Sequence, residues 1–168
     1  MHEPKPSNEE TPRRGFSFDW VLWVKWILAC TLGWVIGWAF LPEFAVGALV
    51  GAAQWVVVRP LIRRDGWWVP ASAAGWAVGR AIVLAVFPPG IEALAEAVIG
   101  ASLGLAQWLV LRGQVHRAWW WIVLSTLGWT VGLMGTLGSS WAGAVAGATT
   151  GVALEFLMRV RRAGSEAG

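Results

Sequence analysis

The sequence predicts an all-α integral membrane protein in which six transmembrane helices form three repeated helical hairpins. Hydrophobic residues make up 57% of the 168-residue chain and charged residues only 14%, a composition typical of a membrane bundle rather than a water-soluble domain. The apolar residues fall in successive blocks of roughly 20 residues, the length of a helix that crosses about 30 Å of hydrocarbon. Arginines cluster after every second block, where one predicted hairpin ends. Together these features predict hairpins that cross a membrane.

The six predicted spans follow one another with very short connections. Residues 1–17 mix prolines with charges of both signs, which predicts a disordered cytoplasmic tail, and residues 163–168 are expected to form a second tail. Proline and glycine at residues 42–43, 88–90 and 138–139 predict tight turns within the hairpins. The transmembrane domain is predicted over residues 18–162, with hairpins at about 20–62, 67–111 and 118–160. The individual spans are predicted at about 20–41, 44–62, 67–87, 91–111, 118–137 and 140–160.

The positions of the charges predict the orientation. Arginines precede the first span, follow each returning span and are missing from the opposite turns, where the charges are Glu43 and Glu92. The positive-inside rule therefore predicts a bacterial inner membrane protein with both termini in the cytoplasm. Several of the 15 tryptophans fall near that cytoplasmic boundary and are expected to be interfacial anchors, namely Trp20, Trp23, Trp67, Trp68 and Trp119 to Trp121. Trp34, Trp76 and Trp129 lie deeper and need another explanation.

An internal repeat relates the hairpins. GALVGAAQWVVVR at residues 47–59 matches GASLGLAQWLVLR at residues 100–112 without a gap, at an offset of 53 residues. The repeated unit is one hairpin. Its first span, here called outgoing, contains Gly-Trp, and its second span, here called returning, contains Gly-xxx-Gly and Gln-Trp. Three such hairpins can close as a pseudo-threefold bundle or lie in a row, and we expect the closed bundle.

The glycines of the returning spans recur every four residues on one helix face. This spacing lets helix backbones approach closely in lipid, so a packing role without chemistry is expected. The residues concerned are Gly47, Gly51, Gly100, Gly104, Gly143 and Gly147.

The GxxxGxxQWxVLR repeat, followed by a Trp-Trp pair and a Gly-Trp helix, resembles a group of uncharacterised Trp- and Gly-rich multi-span bacterial membrane proteins. The resemblance covers roughly residues 33–155, and its most specific positions are Gln54-Trp55 and Gln107-Trp108. The third hairpin departs from the pattern, with Thr150-Gly151 in their place. The resemblance implies a bacterial membrane protein and implies no activity.

Arg80 is the most informative polar residue, because a charge inside a span is costly and normally faces protein or water. Its depth predicts Glu96 on the next span as its partner, with Glu92 nearer the surface. Two interpretations remain open. The pair is either a structural ion pair that fixes the second hairpin, or a site for an anionic headgroup, a transported solute or protons.

A second polar layer is predicted at the cytoplasmic ends of the returning spans. Arg59, Arg112 and Glu155 occupy equivalent repeat positions, with Gln54 and Gln107 just inside them. Glu155 can pair with either arginine, or all three side chains can reach separately to the surface. The amides are expected to form hydrogen bonds between helices.

These patterns favour a non-catalytic membrane protein over an enzyme. The sequence lacks a P-loop, a paired-histidine zinc helix and a nucleophile elbow. Cys30 lies inside the first span and both histidines lie outside the spans, so we expect no metal and no cofactor. The expected partners are the lipid bilayer and either another membrane protein or a hydrophobic ligand, but no nucleic acid. The alternative is a small transporter or solute-binding protein that uses Arg80 and Glu96.

Overall fold

A computed structural model of the chain describes residues 18–88, 90–134 and 141–166, with side chains up to residue 159 in the last helix. Within these residues the chain is helical and contains no strand, so the all-α class is confirmed. Short 3-10 turns at Glu43–Ala45 and Asp65–Trp67 precede the second and third helices. The six helices are α1 (Trp20–Phe40), α2 (Val46–Val58), α3 (Trp68–Val86), α4 (Glu92–Leu111), α5 (Trp120–Leu133) and α6 (Ala142–Glu166). The predicted tail at 1–17 and turn at 138–139 lie outside the described residues.

The six helices form a closed ring. Each helix packs against the next one along the chain, and α6 packs against α1. The structure therefore has the closed bundle and not the row of hairpins. One end of the ring, here called the basic end, carries Arg59, Arg63, Arg64, Arg112, Arg117 and Arg159. The opposite end, the acidic end, carries Glu43, Glu92, Glu96 and Arg80.

The helices differ in length and apolar character. Among the described residues, three helical segments are long and apolar enough to cross a membrane, where the sequence predicted six spans. They are Trp20–Phe40, Asp65–Val86 and Glu92–Leu111. The segments Glu43–Val58 and Trp120–Leu133 are apolar but shorter. The 14 residues of α5 rise only about 21 Å. Helix α6 continues through Glu166, beyond the predicted end of the span at residue 160, and its last part is charged.

Glycines lie at the seams of the ring. Glycines on the outgoing helices face the returning helix of the same hairpin. For example, a Cβ on Gly33 would lie 2.8 Å from Val50 Cα. On the returning helices they face the next hairpin, and a Cβ on Gly143 would lie 2.6 Å from the Cys30 carbonyl oxygen. Each of the six predicted packing glycines would place a Cβ within 3.0 Å of the neighbouring hairpin: Gly47, Gly51, Gly100, Gly104, Gly143 and Gly147. Close approach of the helices therefore requires glycine there.

Replacing Gly143 with alanine tests the closure of the ring. The added methyl group would overlap the α1 backbone, which cannot move aside cheaply, so we expect Gly143→Ala to lower the free energy of unfolding by about 1–3 kcal/mol. Gly66→Ala is the matched control, because nothing lies within 4 Å of a Cβ at Gly66. Unfolding of both variants in detergent would be compared with the unmodified protein. Equal stability of Gly143→Ala and Gly66→Ala would contradict the packing of α6 against α1.

Candidate functional site

Six buried tryptophans fill the axis of the ring in two layers. The outgoing helices α1, α3 and α5 alternate around the ring, and each carries two tryptophans eight residues apart. Trp26, Trp68 and Trp121 form the basic-end layer, with ring centroids 5.7–6.1 Å apart. Trp34, Trp76 and Trp129 form the acidic-end layer, with centroids 5.5–5.7 Å apart. In each layer the indoles of three alternating helices contact one another. Both layers therefore lie on the axis of the ring.

The two layers explain the deep tryptophans and correct the assignment of others. Trp68 and Trp121 are buried and belong to the core, so the prediction that they are interfacial anchors is wrong. Trp20, Trp67 and Trp119 are at least half exposed, as an interfacial role requires. Sequence reasoning missed the layers, although the repeated eight-residue spacing was a signal for them.

Each indole of the basic-end layer donates a hydrogen bond to the repeat-equivalent residue of a returning helix. Trp68 Nε1 donates to Gln54 Oε1 at 3.2 Å, and Trp121 Nε1 donates to Gln107 Oε1 at 2.9 Å. Trp26 Nε1 donates to Thr150 Oγ1 at 2.9 Å. Thr150 therefore departs from glutamine in sequence but keeps the acceptor that a buried indole needs.

The two glutamines are also joined across the bundle. Gln107 Nε2 donates to Gln54 Oε1 and to Ser72 Oγ, both at 2.9 Å, while Gln54 Nε2 donates to Cys30 Sγ at 3.2 Å. Cys30 and Ser72 occupy equivalent positions, four residues after the basic-end tryptophans. The predicted hydrogen bonds of Gln54 and Gln107 between helices are thus present, and they form one connected core network.

The predicted cytoplasmic layer of Arg59, Arg112 and Glu155 does not form. Glu155 is buried and pairs with Arg159, four residues on, with Nη2 and Oε1 2.6 Å apart. The same carboxylate oxygen accepts the Asp19 backbone N–H at 2.9 Å, which ties the start of α1 to α6. The expectation that Glu155 pairs with Arg59 or Arg112 is therefore wrong.

Arg59 and Arg112 each lie over a tryptophan of their own helix. The guanidinium carbons are 5.4 Å from the ring centroid of Trp55 and 5.5 Å from that of Trp108. Both arginines are exposed. They project separately to the surface, which is the other interpretation of the sequence, and their equivalent stacking follows from the repeat.

Arg80 forms its ion pair with Glu43 and not with Glu96. Glu43 begins the 3-10 turn before α2, and its carbonyl oxygen accepts a hydrogen bond from Trp76 Nε1 at 2.8 Å. The pair therefore joins the first hairpin to the second, where the sequence predicted a contact within the second. The Glu96 carboxylate interacts electrostatically with both Arg80 and Glu43. Glu92 is exposed and accepts the Gly90 backbone N–H at 3.2 Å.

Arg80 borders two cavities at the acidic end. The larger one, here called the vestibule, has a volume of about 360 Å³. It is lined by residues that include Trp34, Trp76, Glu43, Arg80 and Glu96, so the acidic-end tryptophan layer adjoins it. The smaller cavity, of about 270 Å³, also contains Glu92.

The vestibule can hold a small polar ligand. Arg80 lines the vestibule, and its buried Nε has no hydrogen-bond partner among the described residues. Glu96 also lines the vestibule and supplies a carboxylate acceptor, and the indoles supply an apolar surface. In the described ranges, no group of three or more histidine, cysteine, aspartate or glutamate side chains has the geometry to hold a metal ion.

Comparison with family models, with curated proteins and with solved structures finds no match to this chain. The candidate sites therefore rest on the geometry of the chain itself.

Thr150→Val tests the hydrogen bonds of the tryptophan layer. The change keeps the side-chain shape but leaves the buried Trp26 N–H without its acceptor, so we expect a loss of about 1 kcal/mol in unfolding free energy. Thr149→Val is the matched control, because the Thr149 hydroxyl donates only to Val145 of its own helix. The two variants would be compared by unfolding in detergent. If Thr149→Val is as destabilising as Thr150→Val, the indole hydrogen bond does not matter.

A double-mutant cycle identifies the partner of Arg80. We expect Arg80→Gln and Glu43→Gln to show a coupling of about 0.5–1 kcal/mol, since the Glu43 side chain is 55% exposed and partly screened by water. The cycle of Arg80→Gln with Glu92→Gln is the control and should show no coupling. Unfolding free energies in detergent give both values. Stronger coupling of Arg80 to Glu96 than to Glu43 would overturn the assigned pair.

Proposed function

We propose that the protein is a non-catalytic scaffold of the bacterial inner membrane, which crosses the membrane six times and binds a lipid, a hydrophobic ligand or another membrane protein. The ring supports six crossings, because α2, α5 and α6 lie beside the three long apolar helices. They also expose apolar side chains outwards: Val56 on α2, Val131 on α5 and Val152 on α6 are each at least half exposed. Such side chains are accommodated when lipid surrounds the ring.

The distribution of charge supports cytoplasmic termini. The exposed arginines Arg59, Arg63, Arg64, Arg112 and Arg117 lie at the basic end. Placing that end in the cytoplasm satisfies the positive-inside rule. The exposed indoles of Trp20, Trp67 and Trp119 lie at the same end, where an interface accommodates an amphipathic ring.

The filled axis is the observation that carries the scaffold proposal. Two layers of buried tryptophans occupy the centre, and the indoles of the basic-end layer are fixed by hydrogen bonds to three returning helices. A transporter needs a polar path and two alternative arrangements of its helices. Opening a path here would break the indole hydrogen bonds and separate the glycine seams. The described bundle is therefore better suited to present outer surfaces than to conduct a solute.

Solute binding in the vestibule is the second candidate. It is favoured by Arg80 and Glu96, which both line a cavity of about 360 Å³, and by the buried Arg80 Nε, which lacks a hydrogen-bond partner among the described residues. A bound solute with a negatively charged group would complete the hydrogen bonding of the guanidinium. This candidate requires binding at the acidic end but no passage along the axis.

Purification from native membranes, followed by reconstitution into vesicles, tests the proposal. We expect the protein in mild detergent to retain a stoichiometric lipid or protein partner, detected by mass spectrometry. We also expect protein-containing vesicles to conduct protons and small organic anions no faster than empty vesicles, because the axis is filled. Flux that depends on the protein and is lost in Arg80→Gln, with folding intact, would overturn the scaffold in favour of transport. Arg59→Gln, at the opposite end, is the control for loss of one positive charge.

A further inference from the structure

Three arginines meet at the basic end between two connections of the ring. Arg63 and Arg64 lie in the connection from α2 to α3, and Arg112 lies at the end of α4. Together with Gly113 and Gln114 they line a cavity of about 590 Å³. Gln114 Oε1 accepts the Arg63 backbone N–H at 2.7 Å, and its Nε2 donates to Val110 at 2.8 Å, so one side chain joins the two connections. The arrangement is here called the arginine cluster.

Among the described residues, the arginine cluster has no acidic partner. None of Arg63, Arg64 and Arg112 forms an ion pair with a carboxylate of the described residues. The nearby Asp65 instead accepts a hydrogen bond from Trp55 Nε1 at 3.1 Å. Three arginines that line one cavity favour an anion there, and phosphate oxygens match the fork geometry of a guanidinium group.

An apolar groove begins at the same place. A cavity of about 560 Å³ runs along the outer surface between α3 and α4, and Arg64 lines both this groove and the arginine cluster. Apart from Arg64, the groove walls are apolar. They consist of Trp67, Pro70, Ala71, Ala74, Ala106, Leu109 and Val110.

Charge distinguishes this groove from its equivalent in the first hairpin. Ala74 occupies the position at which the other two hairpins carry Leu32 and Leu127, both more than half exposed on the outer surface. With alanine at this position the α3–α4 groove has a volume of about 560 Å³, while the α1–α2 groove, which Leu32 lines, has about 650 Å³, so space alone does not distinguish the two grooves. The corresponding groove between α1 and α2 has Lys25 and Asp19 at its polar part, and their opposite charges offer no net attraction for an anion.

We propose that the arginine cluster and the α3–α4 groove form one binding site for an anionic phospholipid of the cytoplasmic leaflet. The headgroup phosphate lies among Arg63, Arg64 and Arg112, and one acyl chain lies in the groove beside Ala74. The inference rests on the proposed function, since it names the lipid that the scaffold binds and needs the basic end in the cytoplasm. A soluble phosphate would use the arginine cluster but has no use for an apolar groove.

Native mass spectrometry in detergent tests the headgroup contacts with phosphatidylglycerol and phosphatidylcholine added at equal concentration. We expect at least about tenfold preferential retention of phosphatidylglycerol by the unmodified protein and loss of that preference in Arg64→Gln/Arg112→Gln. The matched control is Arg59→Gln/Arg117→Gln, which removes the same charge at the two repeat-equivalent positions outside the cluster. Equal loss in both double variants, or no preference in the unmodified protein, would overturn the proposal.

Ala74→Leu tests the groove and introduces the side chain that the other hairpins carry. We expect weaker retention of phosphatidylglycerol by about threefold or more, with unchanged retention of glycerophosphoglycerol, the same headgroup without acyl chains. If glycerophosphoglycerol displaces the lipid at equal concentration, the site binds a soluble phosphate and the proposal is wrong. Membrane fractionation separates the two hypotheses. A protein that inserts in membranes but shows no lipid preference leaves the scaffold standing, whereas a protein outside the membrane fraction contradicts the scaffold itself.

Discussion

The buried indole N–H groups constrain most of this bundle. An indole on the axis of a helical ring is surrounded by apolar atoms, and its N–H is costly unless an acceptor lies within the ring. The acceptors at Gln54, Gln107 and Thr150 come from the returning helices, which must therefore lie close to the outgoing ones. Glycine at the seams permits that approach. The tryptophans, the acceptors and the glycines consequently form one structural unit, repeated three times.

The three hairpins have equivalent residues and contacts in the core but differ from one another at the two ends of the ring. Each basic-end indole finds an acceptor at the equivalent position, even where threonine replaces glutamine. Arg80, by contrast, has Trp38 and Leu133 as its repeat equivalents, and Arg63, next to Arg64 in the arginine cluster, has His116 at the equivalent position of the next connection. Symmetric residues are explained by packing alone. The asymmetric ones have no such explanation, which is why the binding proposals concern them.

The sequence predicted the helices and their pairing better than it predicted individual side-chain contacts. Hydropathy and the repeat gave six helices in three hairpins, because both depend on residues close together in the chain. The Arg80 partner was missed because distance along a helix fixes the depth of a residue but not the direction in which it points. Glu96 and Glu43 both lie at the acidic end, and only the packing of α3 against the turn before α2 selects Glu43. The partner of Glu155 was missed for a different reason. The repeat directed attention to arginines on other helices, whereas the partner, Arg159, lies four residues on in the same helix.

A filled axis also determines where ligands can bind. In a ring with an open centre, a ligand would contact several helices at once and its binding would change their arrangement. Here the centre holds six indoles in edge-to-face and tilted contacts, so binding is confined to the ends and to the outer grooves. Lipid occupies such grooves in any membrane, and a groove becomes selective when a charged group stands at its mouth. Arg64 stands at the mouth of the α3–α4 groove, whereas Lys25 and Asp19, of opposite charge, stand beside the α1–α2 groove. The selectivity of this bundle therefore depends more on the charged side chains at the mouths of its grooves than on the space inside them.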